Sequence, residues 1–109
     1  AGVLGIGSSV AYAASKGALI NMTKSLARAL GPIRINAICP GFIQGDWLKN
    51  GLGVETYEFV KKSTEESVPL NLTCTAEQVA ETICYFIESG STITGETLLL
   101  DGGMHLGNY

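Results

Sequence analysis

The 109-residue chain reads as an α/β protein whose helices flank a parallel sheet, and three observations lead to that reading. From about Val10 to Leu30, apolar residues recur at a spacing of three to four. Ile33 to Cys39 holds three isoleucines and stops at Pro40-Gly41, while Glu96 to Leu100 is a second apolar run that stops at Asp101-Gly102-Gly103. Short apolar runs alternating with helix-length segments mark strands covered by helices on both faces.

The elements follow in order. Ala1 to Ser9 is small and glycine-rich and suits a loop, with Ser8 or Ser9 near the start of the first helix. Ala14, Ala18, Leu19, Met22, Leu26 and Ala29 form that helix's apolar stripe, and Gly31-Pro32 ends it. Ile33 to Cys39 is expected to be a buried parallel strand whose ladder Pro40-Gly41 stops. Two short helices are expected around Asp46 to Leu52 and Glu55 to Glu66, separated by Gly51 and Gly53. Thr75-Ala76-Glu77-Gln78 has the form of a capping box, so a helix from about Ala76 to Ser89 carries the stripe Val79, Ile83, Phe86 and Ile87. Gly90 to Thr94 is a turn-rich connection, and His105 to Tyr109 forms a tail near the active site or at a subunit contact.

Composition narrows the function classes. With 46% hydrophobic and 16% charged residues, the chain is globular and is expected to be soluble and cytoplasmic. Ten acidic against seven basic residues give a net charge of −3, and Lys61-Lys62 is the only adjacent basic pair, so nucleic acid is not an expected partner. No apolar stretch reaches the ~18 residues of a membrane span, and no secretory leader is evident. Cys39, Cys74 and Cys84 are odd in number and lack metal-ligand spacing. They read as reduced thiols, with no metal expected. Cys39 reads as a small buried hydrophobe, and the lone His105 as polar surface.

Tyr12 and Lys16 fall four residues apart, which places a phenol and an ammonium on one face of the first helix. A phenol's ordinary pKa near ~10 suits it poorly to proton exchange at neutral pH, whereas a neighbouring cation favours the phenolate. That pairing can make a general acid or base.

Downstream lie Asn36-Ala37-Ile38-Cys39-Pro40-Gly41-Phe42-Ile43 and Thr94-Gly95-Glu96-Thr97-Leu98-Leu99-Leu100-Asp101-Gly102-Gly103. With the Tyr12/Lys16 pair ahead of them, the three segments in this order resemble the C-terminal half of a short-chain dehydrogenase/reductase, and among its members a 3-oxoacyl-thioester reductase. The resemblance spans essentially the whole chain. It implies the C-terminal part of a Rossmann-type doubly wound parallel sheet, so residues 1–109 would be a partial dinucleotide-binding domain with a substrate lid at about 44–70. The family's glycine-rich turn, its Asn-Ala-Gly segment and its catalytic serine are expected upstream, the serine only a residue or two before Ala1. The 109 residues alone are therefore expected to be inactive and not to bind NADH or NADPH tightly.

The resemblance further implies hydride transfer between NAD or NADP and a carbonyl or alcohol. Tyr12 would be the acid/base and, with Lys16, would also belong to the cofactor-binding residues. Lys16 would hold it in its acidic range and contact the nicotinamide ribose, and the backbone at Pro40, Gly41 and Ile43 would fix the nicotinamide. Trp47 and Leu48, with Leu52, Tyr57 and Phe59, would supply apolar surface over the substrate, or else cover an edge of the core. Relatives assemble as dimers or tetramers, so a homo-oligomer is expected. The family often has a threonine where this chain has Gly45, and the Leu30-Gly31-Pro32-Ile33-Arg34 connection is a residue or two shorter than usual. A second reading is a short, non-catalytic chain that partners full-length subunits.

Overall fold

Ser9 starts the first helix, α1 (Val10–Ala29): its hydroxyl accepts the Tyr12 N–H at 3.1 Å, which satisfies one of the amides a helix start leaves free. The computed structural model describes residues 1–107. Six further elements follow: β1 (Ala37–Pro40), α2 (Asp46–Leu52), α3 (Val54–Ser67), α4 (Ala76–Glu88), β2 (Thr97–Leu100) and a single 3-10 turn, Met104–Leu106. The expected tail beyond that turn, residues 108–109, lies outside the described residues. The chain divides into two units, Ala1–Cys39 with Tyr85–Leu98, and Pro40–Cys84 with the described residues from Leu99 onward.

In the first unit α1 turns a face other than the expected one inward. Thr23 and Ala27 are buried and Ala13, Gly17 and Ile20 half-buried, whereas Ala14, Ala18, Leu19, Met22, Leu26 and Ala29 are exposed. Both arcs of this helix are apolar, so periodicity alone does not choose between them. Small residues decide the observed choice: a Cβ at Gly95 would stand 3.5 Å from the Ala27 Cβ, and the Thr23 hydroxyl is satisfied by the Leu19 carbonyl at 2.9 Å.

The strand expected at Ile33 begins only at Ala37, and Ile33 is exposed. Side chains satisfy much of the backbone before it. The Thr94 hydroxyl accepts the Ile35 N–H at 3.1 Å, and Asn36 donates to the Ile93 carbonyl while accepting the Glu96 N–H. Such polar crosslinks hold residues 34–36 extended without a regular ladder. Arg34 forks its guanidinium onto the carbonyl of Phe86 at 2.7 Å, in the last turn of α4, and onto that of Gly90 at 3.1 Å, which also accepts the Ile93 N–H.

The two strands form a two-stranded parallel sheet. Ala37 N–H donates to Glu96 O and Gly41 N–H to Leu100 O, so the strand ends at Pro40-Gly41 as expected, with the Gly41 amide still paired. Alternate amides of a parallel strand face the same neighbour, so those of Ala37 and Gly41 face β2 and the missing amide of Pro40 falls on the other edge. No described strand pairs on that edge.

In the second unit the core is Tyr57, Val68 and Cys74 with the polar Thr73, Val68 being 2% exposed. Gly51 lies inside α2, and Gly53 alone (φ +83°) forms the joint to α3. The capping box forms as expected, with Thr75 N–H to Gln78 Oε1 at 2.9 Å and Gln78 N–H to Thr75 Oγ1 at 3.2 Å. On α4 itself, Val79, Thr82 and Phe86 are half-buried, while Ile83 and Ile87 of the expected stripe are exposed. Gly103 turns at φ +91° against Pro69, where a Cβ would come within 2.8 Å of the proline ring.

Candidate active site

The i, i+4 spacing on α1 brings Tyr12 and Lys16 together, with Lys16 Nζ 5.3 Å from the centroid of the Tyr12 ring. Both side chains are on the exposed side of the helix, Tyr12 at 43%. The Ser15 hydroxyl, between them in sequence, bonds back to the Tyr12 carbonyl at 2.7 Å.

The N-terminal loop lies against this pair. A Cβ at Gly7 would stand 2.9 Å from Tyr12 Cδ1, and one at Gly2 would stand 2.6 Å from the Lys16 backbone. Only glycine permits approaches this close, so glycines in the loop serve contact with the helix.

In the second unit, Pro40, Gly41 and Ile43 form the end of β1 and the turn beyond it. A Cβ at Gly41 would meet the Asp101 backbone at 3.0 Å. Ile43 makes a parallel bridge with Cys74, in which Cys74 N–H donates to Phe42 O and Gln44 N–H to Cys74 O, both at 2.8 Å. In that pattern the Ile43 N–H and C=O point away from the bridge, and among the described residues neither enters a hydrogen bond. One free donor beside one free acceptor matches a primary carboxamide, the polar group of a nicotinamide ring. The residues present therefore fit that part of the cofactor.

Trp47 and Leu48 sit on α2, Trp47 at 86% exposure and Leu48 half-buried. Phe59 is exposed too, but Tyr57, grouped with them as substrate cover, is only 6% exposed. Its ring packs on Phe42 with centroids 5.5 Å apart, and its hydroxyl accepts the Gly45 N–H at 3.3 Å. An open groove of about 470 Å³ runs past Gln44, Lys49, Tyr57, Lys61 and Thr75.

Two polar clusters went unrecognised in the sequence. Gln44 Nε2 donates to Thr73 Oγ1, Thr73 donates to Glu65 Oε1, and Lys61 Nζ closes on the same oxygen, at 2.8, 2.8 and 2.9 Å. The Lys61 ammonium, and after it the Thr73 hydroxyl, hold the Glu65 carboxyl below its ordinary range. Asp101 accepts the N–H groups of Gly103 and His105 and lies 2.9 Å from His105 Nδ1. Lys61/Glu65 and Asp101/His105 are both i, i+4 pairs, which is the one signal that could have found them. Among the described residues no group of His, Cys, Asp and Glu has the geometry of a metal site, and no helix is long and apolar enough to cross a membrane.

The α/β fold, with helices beside a parallel strand pair, is that of a known class of protein, as comparison with known proteins shows. Residues 1–105 match the family described as enoyl-(acyl carrier protein) reductase. The chain is 38% identical to the short-chain dehydrogenase/reductase homolog YusR of Bacillus subtilis, covering 97% of itself and 78% of that protein. It is 37% identical to the 3-oxoacyl-[acyl-carrier-protein] reductase FabG of Aquifex aeolicus, over 87% of this chain and 38% of that one. A crystal structure of a small-chain dehydrogenase in complex with NADPH superposes with a TM-score of 0.81 at 32% identity, over 87% of this chain and 42% of that one. The chain belongs to the short-chain dehydrogenase/reductase family, and its fold is the α/β fold of that family's solved members. It spans about two fifths of the length of most of the curated relatives it matches.

Proposed function

We propose that the chain is part of an NAD(P)-binding Rossmann-like domain of an oxidoreductase that interconverts a carbonyl and an alcohol. The observation that carries this is the Tyr12/Lys16 pair, held on one face of α1 with 5.3 Å between ammonium and ring. When bound, the nicotinamide supplies or accepts the hydride. Tyr12 gives its phenolic proton to the carbonyl oxygen in reduction and takes it back in oxidation. Lys16 keeps the phenol oriented and donates to the nicotinamide ribose. The backbone at Pro40, Gly41 and Ile43 holds the carboxamide, with the free N–H and C=O of Ile43 as the matching pair. Segment 44–70 forms the substrate lid, to which Trp47 and Leu48 contribute apolar surface.

NADPH in the superposed dehydrogenase and the 3-oxoacyl-[acyl-carrier-protein] in the FabG name support NAD or NADP as cofactor and a carbonyl as substrate. The test is Tyr12→Phe in the natural polypeptide, assayed for nicotinamide-dependent reduction of a 3-oxoacyl thioester and of small ketones. Turnover should fall about 10²- to 10⁴-fold with cofactor binding retained. Undiminished turnover would remove Tyr12 as the acid/base.

A further inference from the structure

Tyr57 and the Gln44–Thr73–Glu65–Lys61 chain take no part in the proposed proton and hydride transfer, yet all of them converge on the turn that carries Ile43. Resting on the reading of that turn as the nicotinamide-holding backbone, we propose that these side chains are positioning residues that fix where Ile43 presents its N–H and C=O.

Three anchors act on three residues around Ile43. The Phe42 carbonyl is taken by Cys74 N–H, the Gln44 side chain by Thr73, and the Gly45 N–H by the Tyr57 hydroxyl. Gly45 has no side chain of its own to hold the turn. The phenol supplied by α3 does this from one side, and its ring is locked in place against Phe42. On the other side Thr73, itself 5% exposed, accepts from Gln44 while donating to a carboxylate that Lys61 keeps ionised. A hydroxyl that donates to an anion is a stronger acceptor, so the charge at Lys61–Glu65 stiffens a bond two groups away. Helix α3 is thus a brace for the turn.

The experiment compares Tyr57→Phe, Thr73→Val and Thr73→Ser in the natural polypeptide, with two readouts. Amide hydrogen exchange at Gln44 and Gly45, measured without cofactor, should speed up about fivefold to tenfold in Tyr57→Phe and Thr73→Val. The KM for the nicotinamide cofactor should rise by a similar factor, about fivefold to tenfold, with kcat changed less, because a shifted Ile43 binds the carboxamide more weakly. Thr73→Ser keeps the hydroxyl and should restore both readouts. Unchanged exchange in both loss variants overturns the proposal, and so does faster exchange with an unchanged cofactor KM. Should the unsubstituted protein bind no nicotinamide cofactor, the functional reading fails instead, and exchange alone still reports whether the brace exists.

Discussion

Gly7 lies against Tyr12 so closely that a Cβ on it would stand 2.9 Å from the ring's Cδ1, at a backbone φ of +144°. Both facts restrict the position to glycine. In Gly7→Ala the ring must move, and since it is partly exposed it can swing outward at little cost to the fold. Turnover of the natural polypeptide should fall at least about tenfold, with the melting temperature lowered by a few degrees. Full activity in Gly7→Ala would show that the loop yields and the ring does not.

Lys16→Met keeps most of the unbranched side chain and removes its charge. If the ammonium orients the phenol and contacts the ribose, both kcat and cofactor affinity should drop, kcat by about 10²-fold or more. Steady-state kinetics at saturating cofactor separate the two effects, and an unchanged kcat would leave Lys16 a binding residue only.

Arg34 covers two carbonyls at the end of α4. Arg34→Met retains the aliphatic stem and strips both bonds, so urea unfolding should show a loss of about 1–3 kcal/mol. A loss below about 0.5 kcal/mol would mean that water replaces the guanidinium fully.

Asp101 titrates below its ordinary value of 3.8. Burial pushes its carboxyl up, but the His105 imidazole and the backbone N–H groups of Gly103 and His105 together outweigh that push. With the folded pKa depressed, the folded state binds the proton less well than the unfolded chain. The stabilisation is therefore present above the ordinary value and is lost as the pH falls through the folded one. Thermal melts of wild type and Asp101→Asn should differ near neutrality and converge in acid. Parallel curves down to the acid limit would refute the linkage.

Cys74 is buried, and its thiol lies 2.9 Å from the Leu100 carbonyl. Burial drives its pKa above the ordinary 9.0, so thiolate is scarce at neutral pH. A thiol-specific disulfide reagent should label Cys74 in the native protein at under about 1% of its rate in the unfolded one. Comparable rates would place it in an open environment.

Much of the architecture was legible from local signals. The Tyr12/Lys16 spacing, the Ser9 cap, the Thr75/Gln78 capping box and the Asp101-Gly102-Gly103 strand end all depend on residues within a few positions of one another, and each formed as read. Choices between long-range alternatives were not legible. Both arcs of α1 are apolar, and packing on Gly95 selected the one bearing Thr23 and Ala27. Ile33 looked like strand, yet polar crosslinks from Asn36 and Thr94 delayed β1 to Ala37. Tyr57 was open between substrate cover and core edge; tertiary packing buried it, and only a contact twelve residues away in sequence brought its hydroxyl to the Gly45 N–H. The sequence by itself determined the family resemblance, the helix ends and the Tyr12/Lys16 pairing, because these are carried by local motifs, spacing and capping. Tertiary structure decided which faces are buried and which side chains hold the turn at Ile43, because hydrogen bonds and packing between distant segments depend on where the whole chain brings them.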